Sequence, residues 1–265
     1  MARESLPLSK TVKRHFGRLL LGFGLIVSLR AAPEVDALLR AAAEAEARQD
    51  SKAALPLLQQ ADAARPDDAF IIQKIARQYS DLALEQPTLE EKRRYAQTAL
   101  EFSQRAVALN PQSEVNVLSL SVCYGKLSLF SDTKTKVKYS RLIRDEAERA
   151  LALNPDYAWA HHVMGRWQCE VATLGFASRV FVRLFYGGLP EASVDEGIRQ
   201  LQRATELEPT ELNHFLELGF AYATGKRRAE AEKAWQQGLA MPSRGPHDEY
   251  ARKRARAALD ELAGR

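Results

Sequence analysis

Apolar and polar positions repeat in register behind four prolines, Pro66, Pro111, Pro155 and Pro209. Six residues beyond each sit Ile72, Val117, His161 and Phe215, and nine beyond sit Ile75, Leu120, Met164 and Leu218. Ten beyond are the small residues Ala76, Ser121, Gly165 and Gly219, and thirteen beyond are Tyr79, Tyr124, Gln168 and Tyr222. These offsets share one face of a helix with 3.6 residues per turn, and the small residue lets a second helix come close. The pattern predicts paired helices over 35–49 and 51–64, 67–84 and 88–109, 113–130 and 133–153, 156–174 and 193–207, and 211–224 and 228–240. A last helix follows over 247–262. Pro56 falls in a first helical turn, where its missing N–H costs little. Thr88 with Glu91 resembles a capping box. Ser131 and Asp132 mark a break, and Gly225 ends a helix. No stretch alternates in the β manner, so the fold class is all-α.

Large, apolar, small and aromatic at those offsets is the first-helix pattern of a tetratricopeptide repeat. Ala231, Trp235 and Gly238 before Pro242 fit its second helix, as do Ala54, Leu58 and Ala61 before Pro66. The expected architecture is a tetratricopeptide-like superhelix of about five helical hairpins, over 35–66, 67–111, 112–155, 156–209 and 210–242. A polar helix over 247–263 would cap its open end. The period should be about 34 residues. The proline spacings are 45, 44, 54 and 33, so the middle hairpins have longer helices or inserts. One repeat domain over 33–265 is expected.

Residues 1–32 read differently. Arg3, Lys10, Lys13, Arg14 and Arg18 precede an apolar run over 19–29, and Arg30, Ala31 and Ala32 follow. A basic head, a short apolar run and small residues describe a signal peptide, and the run is shorter than a membrane span. The mature chain is therefore expected to be periplasmic or secreted, or held at an inner membrane by an uncleaved signal. The whole chain is formally +4, and residues 1–30 carry +5 of it, so the basic balance belongs to the leader and argues for no nucleic-acid partner.

Catalytic signatures are missing. No phosphate loop, nucleophile elbow or H-E-x-x-H occurs. His161 and His162 are adjacent and diverge around a helix, so they do not share a metal. Cys123 and Cys169 fall at different helical phases and read as two buried free thiols rather than a disulfide, although an exported protein permits one. No enzyme activity, cofactor or metal is expected.

From Gly165 the match sharpens. Gly165-Arg166-Trp167-x-x-Glu170-Val171-Ala172-x-Leu174 resembles the regulator of microtubule dynamics family. So do the aromatic insert that follows, the stretch 197–209, the last repeat, Lys134-x-Lys136-Val137 and 148–155, together covering roughly 67–262. The resemblance implies a tetratricopeptide-like, non-enzymatic protein. In animals it implies association with microtubules and the spindle and, for one member, a mitochondrial tether with a phospholipid-binding repeat domain. A cleaved signal would place this chain in a bacterial envelope, where no microtubule exists.

A tetratricopeptide stack lines its concave groove with first helices, and positions four, seven, eleven and fifteen past each proline should face it. The candidate partner-binding residues are Trp159, His162, Arg166 and Glu170 at the centre, with Gln73, Arg77, Lys126 and Phe220 around them; Trp and Arg are frequent interface anchors. The expected occupant is a protein or peptide. Arg166 and Glu170, four apart, also fit a plain helix-surface ion pair. The insert carries Phe176, Val180, Phe181, Leu184, Phe185 and Tyr186 at helical spacing with Arg179 and Arg183 between them. Such a stripe fits extra core at a repeat junction. Alternatively, Phe176, Arg179, Phe181, Arg183 and Phe185 contact phospholipid or a membrane surface. Lys134, Lys136, Lys138, Arg141 and Arg144 form a basic run that is either a solvated face or a site for anionic lipid or an acidic partner.

Overall fold

A computed structural model describes residues 20–264, with side chains from Glu34. The expected export signal over 1–32 lies outside the residues whose side chains are described. Among the described residues there are twelve α-helices and no strand. They are α1 (Leu20–Ala47), α2 (Ser51–Ala64), α3 (Ala69–Leu82), α4 (Leu89–Leu109), α5 (Glu114–Ser128), α6 (Thr133–Leu153), α7 (Ala158–Ala172), α8 (Phe176–Tyr186), α9 (Val194–Leu207), α10 (Leu212–Thr224), α11 (Arg228–Ala240) and α12 (Pro246–Ala263). No described helix is long and apolar enough to cross a membrane.

Short polar residues start the helices by accepting orphan N–H groups of the first turn. Asp50 accepts from Ala53 at 3.0 Å, Asp68 from Phe70 at 2.9 Å and Asp132 from Thr135 at 2.8 Å. Thr88 accepts from the Glu91 N–H at 3.2 Å, and its hydroxyl donates to the Glu91 carboxylate at 2.7 Å.

The helices pair as α1–α2, α3–α4, α5–α6, α7–α9 and α10–α11, with α12 against the last pair. The long proline spacings now have causes. α4 and α6 each run 21 residues against 14 in α2 and 13 in α11. The 54-residue spacing comes from α8, which leaves the α7–α9 hairpin as an excursion. Four apolar clusters run along the stack: one from Val35 to Ile75, one around Ala83 and Leu127, one around Val117 and Trp167, and one from Ile198 to Ala255. Most of them combine residues of successive hairpins, which is how a repeat protein builds a core from neighbour contacts.

The small positions mark the tightest approaches. Ala76, Ser121, Gly165 and Gly219 are all buried. A Cβ on Gly165 would come 2.6 Å from Leu201 Cγ and 2.9 Å from the Gly197 carbonyl of α9. Where the other repeats place tyrosine, Gln168 accepts the Ser193 N–H at 2.9 Å and holds the point where the chain re-enters from the excursion.

The last helix covers the α10–α11 hairpin, and its first turn also reaches the α1–α2 turn, where Gln49 Nε2 donates to Asp248 at 2.7 Å. Two expectations change. The insert is not extra core: only Val182 of α8 is buried, while Phe176, Leu184 and Phe185 are 84%, 73% and 67% exposed. Of the two free thiols only Cys123 is fully buried; Cys169 is half-buried against Gly197.

Candidate functional site

First helices α3, α5, α7 and α10 lie side by side and form the inner row of the superhelix. Its centre is α7. Trp159 is half-buried there, with its ring centre 5.1 Å from that of His162 and 4.7 Å, edge on, from that of His214 on α10. His162 is 7% exposed and His214 is fully buried. Their Nδ1 atoms lie 3.0 Å apart, so one donates and the other accepts. Burial pushes both imidazoles below their usual range, His214 to about 4. His214 and Arg166 press His162 down further, and Arg244 does the same to His214. His214 Nε2 has no hydrogen bond and lies 3.4 Å from the Glu208 carboxylate. His162 therefore does not open onto the groove as expected. In α5, α7 and α10 position seven points at the neighbouring helix, where Leu118 and Leu216 are buried too, while Gln73 at the same offset in α3 is half-buried.

One and two turns along α7, Arg166 and Glu170 are exposed and joined at 3.0 Å. The helix-surface pair is thus present, and it extends further. Arg166 also reaches Glu217 of α10 at 3.4 Å, and Glu217 meets Arg254 of α12 at 3.9 Å. The Glu217 carboxylate holds Arg166 firmly charged. Arg254 in turn lies 4.5 Å over the ring of the half-buried Phe220. On α5, Lys126 is half-buried; desolvation lowers its ammonium below the usual range, against the pull of Asp81. On α3, Arg77 is exposed and pairs with Asp81 at 3.8 Å, and Gln73 is half-buried. The inner row thus alternates charge from α3 to α12 around a Trp–His–His cluster. His214 escaped the sequence reading because its offset of five past Pro209 matches no groove position.

α8 makes a second surface. Phe181 and Phe185 touch at 4.8 Å between ring centres, beside exposed Phe176, Val180 and Leu184. Its ends are tied down. Arg179 donates to the Leu174 carbonyl at 2.8 Å and to that of Ala172, at the end of α7. Arg141 of α6 donates to the carbonyls of Tyr186 and Gly188. Gly187 and Gly188, at φ 75° and 80°, end the helix in the left-handed region that glycine adopts freely. Arg179 is therefore not a head-group contact as expected, whereas exposed Arg183 has no hydrogen-bond or ion-pair partner among the described residues. Lys134 and Lys138 share the helical stripe of Arg141, at offsets of seven and three, and are exposed.

Among the described residues no cluster of His, Cys, Asp and Glu could hold a metal ion. The arrangement suits recognition by a preformed surface.

The family model described as Regulator of microtubule dynamics protein 1-3 matches residues 34–263. Regulator of microtubule dynamics protein 1 of Bos taurus is 27% identical over 54% of this chain and 45% of its own. Regulator of microtubule dynamics protein 2 of Homo sapiens is 24% identical over 74% and 48%. The chain thus spans about half the length of the curated relatives it matches. A thermophilic tetratricopeptide-repeat protein of Thermus thermophilus, known from a crystal structure, shares the fold at a TM-score of 0.66, with 22% identity over 85% of this chain and 98% of that one. An all-α, tetratricopeptide-like helical-repeat protein, this chain belongs to the regulator of microtubule dynamics family.

Proposed function

We propose that the chain is a non-enzymatic scaffold that binds an extended protein or peptide along the inner row, centred on α7. The observation that carries this reading is Trp159 held half-open on a buried histidine pair, beside exposed Arg166 and Glu170. A rigid aromatic and a guanidinium on one preformed face are the usual anchors of a protein interface. Arg77, Gln73, Lys126 and Phe220 extend the face along neighbouring helices.

A peptide-display library selected on the purified chain tests it. Trp159→Ala and Arg166→Ala should each weaken the enriched peptides by about tenfold or more, the loss of a hot-spot residue. Peptides that bind both variants as well as the parent would sink the groove reading.

A second reading rests on α8. Five aromatic or aliphatic side chains stand in the open on one short helix, which also carries Arg183, while Lys134 and Lys138 are exposed on α6. An apolar stripe flanked by cations fits an anionic phospholipid surface, rings in the head-group boundary and cations against phosphate. The chain should float with vesicles containing phosphatidylserine and much less with phosphatidylcholine alone. Phe181→Glu with Phe185→Glu should abolish flotation at unchanged helicity. Equal flotation of parent and variant would end this reading.

A further inference from the structure

The two ends of the superhelix meet. Gln49, in the turn after α1 at φ 55°, and Asp248, in the first turn of α12, are 199 residues apart. Gln49 Oε1 accepts the N–H of His247 at 2.8 Å and of Asp248 at 3.1 Å, while its Nε2 donates to Asp248 Oδ1. Beside it the backbone of Gly245 lies on the Arg48 carbonyl, where a Cβ would overlap. Packing contacts run from α1 through successive helices to α12, and this join returns the circuit to its start.

The join is polar. Among the described residues the apolar cluster of the first hairpin and that of the last share no residue, and none bridges the two ends. An open cleft of about 400 Å³, lined by Arg48, Lys52, Glu85 and Pro246 among others, lies over it. Opening it orphans nothing. Asp248 is fully buried, yet without Gln49 it still accepts from Asn213 Nδ2 at 3.0 Å, from the Arg244 N–H at 2.9 Å and from Arg244 Nε at 3.0 Å. The His247 and Asp248 N–H groups belong to a first helical turn, which water can satisfy. Gln49 is uncharged, and water replaces its hydrogen bonds at little net cost. A contact that is made of few hydrogen bonds, closes a long circuit and leaves no buried group unpaired costs little to open.

We propose that Gln49 and the first turn of α12 form a clasp that closes the superhelix into a ring and opens without unfolding any helix, so that it governs entry to the inner row. The role in entry rests on the groove reading; the opening itself does not.

Small-angle X-ray scattering of the full chain tests it with two variants. Gln49→Gly keeps the left-handed turn and removes the side chain. Gln49→Glu sets a carboxylate against Asp248. Both should enlarge the radius of gyration and the maximum dimension at unchanged far-ultraviolet helicity, and both should speed peptide association with the inner row several-fold. Scattering profiles identical to the parent for both variants overturn the clasp, and so does a loss of helicity in both. Expansion with no peptide binding by parent or variants leaves the clasp standing and removes the groove reading.

Discussion

Trp235→Ala will lower the stability of the chain by about 3–5 kcal/mol, the range for emptying a buried tryptophan site. The indole is 1% exposed, donates from Nε1 to the Leu216 carbonyl at 3.1 Å and meets the Phe220 ring edge on at 5.2 Å. It also explains Gly219: a Cβ there would overlap the indole. Gly219→Ala alone should therefore cost about 1–3 kcal/mol by overpacking. Made in the Trp235→Ala background, the same change should cost almost nothing, because the added methyl enters the vacated space. The two substitutions touch one another and must couple. Urea unfolding of the parent, both single variants and the double variant measures the cycle. Additive losses would show that the indole is not what requires a glycine at 219. The damage should begin at the C-terminal end, where α10, α11 and α12 depend on this ring, since each repeat is held by its neighbours.

Acidification from pH 7 to pH 4 will cost the fold about 3 kcal/mol through His214 alone, each pH unit between the two pKa values carrying about 1.4 kcal/mol. In the unfolded chain the imidazole titrates near 6.5, and in the folded chain burial moves it down to about 4. Above pH 6.5 both states are neutral and the contribution vanishes. Below it the unfolded state takes up a proton that the folded state refuses, so stability falls as pH falls and the loss levels off near pH 4. His162, also pushed down by burial and by His214, adds to the loss. Arg166 and Arg244 face the pair and reinforce it; the Glu208 carboxylate, 3.4 Å from His214 Nε2, opposes it. Asp248, held down to about 2, contributes only below its usual 3.8, outside this window. Urea midpoints at about pH 7 and pH 4.5 read the effect, and His214→Phe should remove most of the difference while keeping a ring against Trp159. A difference that survives His214→Phe undiminished would place the acid sensitivity elsewhere.

The helices and their pairing were legible along the chain because the information is local. A period of 3.6 and a small residue ten past each proline mark which face is buried, and Ala76, Ser121, Gly165 and Gly219 all lie inside. Thr88, Asp132 and Gly225 bound helices where their chemistry indicates. The exposure of Arg166 and Glu170 was legible for the same reason, since it follows from their place on α7.

What only the tertiary structure decided concerns which surface meets which. An apolar stripe over 176–186 reads alike whether it is core or surface. It stands exposed because α7 and α9 pair directly and leave α8 outside. His162 turned inward because α10 brings His214 to 3.0 Å from it across 52 residues of sequence. Gln49 and Asp248 carry no local mark at all, being joined over 199 residues by the accumulated turn of the stack. Periodicity is a property of one helix and is written in its residues. The meeting of the two ends sums small rotations over every hairpin, and no single stretch of the chain contains that sum.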